Sequence, residues 1–316
     1  MEAKKSLKAV AAYALSVAML FAGAACGTSD GSDDAASSDS GSKSSELTGY
    51  DVSSVQKDDD IAKLLPDYVT KDGKLTIGMD TSYAPAEFLA EDGKTPVGFD
   101  VDIAKALAQV FGLEADPETA NFDSIIPSVG SKYDIGISSF TVTKERLEAV
   151  DFVSHFDAGS AWAVKKGNPN KIDTSDLCGK KVAVQTATMQ ETEANKIAKQ
   201  CEADGKDKLE VISSKTADRC DHERCHRQGR RVLCRFAGCG LCHCANRWTA
   251  GNAGQGRRSS LRKAVVIKKG DSQMDEAVQK AVQKLIDDGT YLKILKYWGV
   301  EDGAIETSEI NTPGAE

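Results

Sequence analysis

Arginine is nearly missing from most of this 316-residue chain. Ten of its eleven arginines fall between Arg219 and Arg262; outside that stretch Arg146 is the only one, and every other basic side chain is a lysine. A lone planar guanidinium among lysines suggests a task that a point charge cannot fill. Histidine is just as scarce. His155 is the only one of four outside the same stretch, so the rest of the chain offers no convincing pair for acid–base chemistry. A net charge of −8 argues against a nucleic-acid partner. The apolar run from Ala9 to Ala22 is too short for a spanning helix.

With 41% apolar residues, a chain of this length can bury one large or two moderate cores, which implies two lobes. Its first residues read as an address. Lys4, Lys5 and Lys8 precede the apolar run, and Gly23, Ala24 and Ala25 precede Cys26, the pattern of an export signal over residues 1–25. Small residues directly before a cysteine resemble the lipobox of bacterial lipoproteins, which implies cleavage before Cys26 and lipidation of that residue. Gly23 stands where such proteins usually carry leucine, and a soluble secreted protein with an incidental Cys26 is the alternative. Residues 26–66 are rich in Ser, Asp, Gly and Ala, and are expected to form a flexible tether that holds the fold off a membrane surface.

Regular structure is expected from Lys74. "KLTIGMD" alternates like a strand, and "DVDIAKALAQVFG" sets Ile103, Leu107 and Phe111 on one helical stripe with Gly112 as its stop. "YDIGISS" and "KKVAVQ" read as further strands, and Thr188 to Lys199 and Met274 to Asp287 as helices. Strands alternating with helices imply an α/β architecture with largely parallel sheets. "AWAVKKGN" (161–168) and "AVVIKKGD" (264–271) echo each other. If each is a crossing strand between lobes, lobe 1 comprises 67–160 and 266–305, lobe 2 comprises 161–265, and 306–316 is a C-terminal tail.

"IGMDTSYAPAEF", "GFDVDIAKALA", "NFDSIIPSV", "YDIGISSFTVTKERLEAVDFV", "GKKVAVQTATMQE" and "GTYLKILKYWGV" together resemble the amino-acid-binding component of ABC importers, the extracellular solute-binding proteins of family 3. Order and spacing match from about Leu75 to Lys215 and again from Val265 to Val300. The resemblance implies a two-lobed, periplasmic-binding-protein-like α/β fold with two crossing strands as hinge. It implies a monomer that closes on one free amino acid, polar by family default, and delivers it to permease subunits. Neither cofactor, metal nor catalytic residue is expected, and the place of work is the outer face of the cytoplasmic membrane. Related two-lobed folds carry dehydratase activity, so an enzyme is the alternative.

A free amino acid is a zwitterion, so its site needs cationic donors for one end and acceptors for the other. Arg146 is the natural carboxylate clamp, because its fork can make two parallel charge-assisted bonds; a surface ion pair is the plainer reading. Ser138, Ser139 and Thr141 precede the helix that starts near Lys144, where hydroxyls and free N–H groups can hold an anion or simply cap the helix. By resemblance, Thr141 meets the ligand carboxylate, Ser139 accepts from its ammonium, and Asp80, Tyr83 and Phe122 stand at side-chain and stacking positions. Also by resemblance, Thr188 and the N–H of Met189 meet the carboxylate from lobe 2, although Ala187 replaces the family's glycine there. In an exported protein Cys178 and Cys201 are better read as a disulfide than as free thiols.

The stretch from Arg219 to Arg262 holds six of nine cysteines and three of four histidines, and no lysine. Cys239-x-x-Cys242 and His222-x-x-x-His226 each resemble half of a zinc site, with Cys220, Cys225 and Cys244 as further candidates, but they assemble into no recognised finger. A nucleic-acid patch would need a cytoplasmic protein, which the export signal opposes. A shifted reading frame explains more. Cysteine codons read one base later give alanine, and synonymous codons for "LCRFAGCGLCHCANRW" can be chosen to read Ser-Ala-Asp-Ser-Pro-Val-Ala-Gly-Tyr-Ala-Ile-Ala-Gln-Thr-Gly. That string is family-like at this place, and the flanks are already in register. Residues 218–263 are therefore expected to be out of frame. The family's ammonium-binding aspartate would then be lost at the codons of Arg235 and Phe236, leaving lobe 2 incomplete, lobe 1 imperfectly folded and binding weak or absent.

Overall fold

The computed structural model describes residues 48–165, 167–217, 232–237, 248–250 and 261–313. Cys26, the export signal, the first part of the tether, the proposed zinc ligands and most of 218–263 lie outside the described residues.

In chain order the elements begin with α1 (Asp59–Ala62), α2 (Asp67–Thr70), β1 (Lys74–Met79) and a small antiparallel sheet of β2 (Ser82–Tyr83), β3 (Glu87–Leu89) and β4 (Pro96–Val97). Then come α3 (Phe99–Phe111), β5 (Glu114–Thr119), α4 (Phe122–Ser128), β6 (Ile135–Thr141), α5 (Lys144–Leu147) and β7 (Val150–Ala158). The second lobe carries β8 (Ser160–Lys165), β9 (Lys181–Gln185), α6 (Met189–Ala203), β10 (Glu210–Ser214), β11 (Val232–Ala237) and β12 (Trp248–Ala250). The chain returns with β13 (Leu261–Lys268), α7 (Ser272–Asp287) and α8 (Thr290–Trp298).

Two five-stranded sheets result, ordered β5-β1-β6-β13-β7 and β10-β9-β11-β8-β12. Both are mixed rather than largely parallel. β1 runs parallel to β5 and β6, but β13 is antiparallel to β6 and β7; β9 runs parallel to β10 and β11, but β8 is antiparallel to β11 and β12. The antiparallel members are the strands by which the chain passes between lobes, so they cannot follow the βαβ direction. Only Gly159 separates β7 of one sheet from β8 of the other, which makes 150–165 a crossing strand. The two echoing segments lie in different sheets: 161–165 belongs to β8, and 264–268 to β13, which joins the first sheet from Leu261 rather than from 266.

The stripe on α3 is buried as its spacing requires, with Ile103, Leu107 and Phe111 no more than 2% exposed, and Gly112 ends the helix in the left-handed conformation at φ 72°. Two limits read from composition need correction. The tether does not reach residue 66: Val52, Val55, Ile61 and Leu65 are buried in the first core, and Tyr50 N donates to Asp102 Oδ2 at 2.8 Å. Scattered apolar residues in a polar segment sufficed to dock it. Likewise the tail is pinned as far as Asn311, whose N donates to Phe152 O at 2.8 Å, while Ser308 is buried and its hydroxyl donates to Ser154 O. The first lobe is complete, with a continuous core from Val52 to Ile305. Cys178 and Cys201 form a disulfide in the second lobe.

Candidate functional site

The ends of β1, β6 and β13 on one lobe face the turn from β9 into α6 on the other, and a cleft of about 590 Å³ of empty space, its mouth included, lies between them. Asp80, Tyr83, Phe122, Ser138, Ser139, Thr141, Arg146, Thr188 and Met189, all expected from the sequence, line it together. Glu87, Gln185, Gln190, Ala217 and Lys263 line it as well and were not anticipated.

Asp80 follows β1 and is only 3% exposed. Its Oδ1 accepts from Ser82 N and Oγ at 3.1 and 2.6 Å; its Oδ2 accepts from Phe122 N at 3.1 Å and, across the cleft, from Gln185 Nε2 at 2.6 Å. Burial raises its pKa, and these bonds oppose the rise. Ser138 is absorbed into the framework: its hydroxyl donates to Glu87 Oε1 at 2.6 Å and accepts from Asp80 N at 3.0 Å. Burial, with the Asp100 charge adding to it, pushes Glu87 well above the ordinary carboxylate range.

Ser139 takes a positive φ of 46°, and both its N and its Oγ donate to Asp100 Oδ2, at 2.7 and 3.0 Å. Asp100 Oδ1 in turn lies 2.7 Å from Nε2 of the fully buried His155. His155 is thus a structural partner of a residue that lines the cleft. The Ser139 hydroxyl oxygen retains capacity to accept, as an ammonium partner needs.

Arg146 sits on α5, whose first turn is capped by the hydroxyl of Thr143, accepting from Arg146 N at 3.2 Å. Its guanidinium lies 5.5 Å from the Phe122 ring and 5.7 Å from that of Phe140, and the two rings stack at 4.5 Å. Nη1 donates to Thr141 O and Nη2 to Ala187 O on the other lobe, each at 2.9 Å. Burial lowers its pKa to about 10, so it stays charged at neutral pH.

On the second lobe Thr188 caps α6: its hydroxyl accepts from Glu191 N at 3.2 Å and donates to Gln185 O at 2.7 Å. The hydroxyl proton is therefore already committed, which leaves the first N–H groups of α6, including that of Met189, to face an anion. Ala187 adopts the left-handed φ of 63° that glycine would take freely, and its N–H is held by Glu191 Oε2 at 2.7 Å. β11 pairs Arg235 with Trp162 and Phe236 with Ala161, so both positions fall on a strand of this lobe. Further contacts join the lobes: Lys215 Nζ meets Asp123 Oδ2 at 2.7 Å and Ala217 N donates to Ser82 Oγ at 2.8 Å.

Glu87 and Lys263 could not be picked out by composition, because each looks like one more surface charge beside an apolar run. Among the described residues no group of His, Cys, Asp and Glu is placed to hold a metal ion, and no helix is long and apolar enough to cross a membrane.

Two mixed sheets joined by a crossing strand, with a polar cleft between them carrying both signs of charge, define a two-lobed solute-binding protein. Residues 75–301 match the sequence profile of the bacterial extracellular solute-binding proteins, family 3, and the chain belongs to that family. It is 32% identical over 268 residues to the arginine-binding protein ArgT of Corynebacterium glutamicum, covering 80% of this chain and 83% of that one. Among solved structures it is similar to an ancestral arginine-binding protein bound to arginine, at 31% identity and a TM-score of 0.60, over 72% of this chain and 98% of that one. It is also similar to an ancestral amino acid-binding protein that is a precursor of cyclohexadienyl dehydratase, at 29% identity and a TM-score of 0.63, over 75% of this chain and 98% of that one.

Proposed function

We propose that this protein is the substrate-binding component of an ABC importer, that it captures a free amino acid between its lobes, and that arginine is the first ligand to test. The observation that carries the reading is the charge arrangement of the cleft, where Arg146 and Thr141 offer donors for a carboxylate while Asp80 and Ser139 offer acceptors for cationic groups. Arginine as the ligand is suggested by the relatives, whose names specify it. The receptor works outside the cytoplasm as a monomer, held to the membrane by lipid on Cys26, and returns its ligand unchanged to permease subunits. Similarity to a dehydratase precursor favours one other reading, an enzyme; a product assay with candidate amino acids separates the two.

Residues 218–263 are read as a frameshifted segment, so the chain as written lacks the acidic partner for the ligand ammonium on the second lobe. Loss of one member of a buried charge pair costs about 3–5 kcal/mol. The written chain should therefore bind arginine only weakly, and a chain with the frame restored to Ala-Asp-Ser-Pro should bind it far more tightly. Calorimetry on both chains, preceded by resequencing codons 210 to 270, tests this. Micromolar binding by the written chain would refute the impairment, and no gain on restoring the frame would refute its cause.

A further inference from the structure

Lys263 stands opposite Thr141 in the pairing of β13 with β6, is 2% exposed, and lines the cleft. Its Nζ donates to Thr141 Oγ1 at 2.6 Å. An ammonium has only protons to give, so the Thr141 oxygen must accept, and the hydroxyl's own proton is turned away from Lys263. Arg146 holds the same residue by its backbone, donating from Nη1 to Thr141 O at 2.9 Å. Two cations therefore grip Thr141, one at its hydroxyl and one at its carbonyl.

We propose that Lys263 is a positioning and specificity-determining residue for the carboxylate of the ligand. It orients the Thr141 O–H as a donor to that carboxylate and adds a second positive charge to that of Arg146, so the cleft selects amino acids over the corresponding decarboxylated amines. The inference rests on the receptor reading above and concerns the chain as written, in which Lys263 is the last residue of the segment read as out of frame. Because β13 is sheet-paired on both sides, the ammonium is fixed before the ligand arrives, and no ordering of a long side chain is charged against binding.

The test compares arginine with agmatine, its decarboxylated form, by ligand-detected NMR titration of the full chain, a method that reads millimolar affinities. In Lys263→Met the dissociation constant for arginine should rise by about tenfold, the scale of one charge-assisted hydrogen bond, while that for agmatine stays within about twofold or falls. Thr141→Val, which keeps the lysine and removes the O–H donor, should reduce the preference for arginine in the same direction. It decides the matter if Lys263→Met does not fold. Equal weakening of both ligands, or an unchanged arginine-to-agmatine ratio in a folded variant, overturns the proposal and leaves the receptor reading standing. Failure of the unmodified chain to bind arginine at all overturns the proposal, and failure of the frame-restored chain as well overturns the receptor reading.

Discussion

Replacing Arg146 by lysine keeps the charge and removes the fork, which makes it the sharpest test of the carboxylate clamp. A guanidinium has five N–H donors. Two are committed at 2.9 Å to the carbonyls of Thr141 and Ala187, so three remain, enough for a two-bond grip on a carboxylate. The rings of Phe122 and Phe140, 5.5 and 5.7 Å away, help to fix the plane of the fork. An ammonium has three protons. If it serves the same two carbonyls, one proton is left for the ligand, and one charge-assisted bond is lost, about 1.5–3 kcal/mol. Arg146→Lys should thus raise the dissociation constant for arginine by roughly 10- to 150-fold at pH 7, measured by ligand-detected titration against the unmodified chain. Burial already lowers the Arg146 pKa to about 10, and the same surroundings would bring a lysine nearer to neutrality. The deficit of the variant should therefore widen between pH 7 and pH 9. An affinity within twofold of the unmodified chain across that range would show that Arg146 does not grip the ligand, and the clamp would have to be abandoned.

Other perturbations follow from the same geometry. Ala187→Gly removes a left-handed alanine at φ 63°, a relief of about 1–2 kcal/mol that the added freedom of the unfolded chain offsets by about 0.4–1. The melting temperature should rise by a degree or more, and a fall would mean that the alanine methyl contributes packing that outweighs the strain. The Cys178–Cys201 bridge closes a loop with a sequence separation of 23, which by chain entropy stabilises the fold by about 3 kcal/mol. Cys178→Ser combined with Cys201→Ser should lower the urea midpoint accordingly, and an unchanged midpoint would contradict the estimate. Burial, with the charges of Asp151 and Asp271 adding to it, raises the Asp275 pKa to about 7, and its Oδ1 has no hydrogen-bond partner. The folded chain holds this proton more tightly than the unfolded chain does, so stability falls as pH rises from about 4 to about 7 and levels off above. Asp275→Asn should stabilise more at pH 8 than at pH 4; parallel melting curves for the two proteins would rule that out.

The first lobe was the more legible half because its signals are local. The stripe of Ile103, Leu107 and Phe111 and the stop at Gly112 lie within one helix, and the polar run from Ser138 to Arg146 crosses a single strand end. What composition concealed depends on partners distant in the chain. Asp100 and Asp102 stand in the first turn of α3, yet Asp100 is buried against His155 and Ser139, and Asp102 accepts from Tyr50 N and Trp298 Nε1. A buried charge and a surface charge share one letter in the sequence, and only the fold tells them apart. Lys263 was missed for the same reason. It stands where the anomalous stretch gives way to the family pattern, and its partner Thr141 lies 122 positions away.

The division of the cleft between lobes determines what the segment at 218–263 can damage. Asp80, Phe122, Ser139, Thr141 and Arg146 project from the first lobe and lie outside that segment, whereas Gln185, Thr188, Met189, Gln190 and Ala217 close over them from the second. Recognition of the carboxylate therefore starts on an intact surface. A ligand shifts such a two-lobed protein toward closure only by the contacts it makes better in the closed form than in the open one, and those contacts belong to the second lobe. The interlobe bonds Asp80–Gln185 and Arg146–Ala187 survive in the written chain, so closure without ligand retains its own support. Removing an acidic partner from the second lobe thus weakens the dependence of closure on ligand more than it weakens first contact. On this argument the written and frame-restored chains should differ chiefly in how slowly the ligand leaves and little in how fast it arrives, a distinction that stopped-flow fluorescence of the lobes' tryptophans can make.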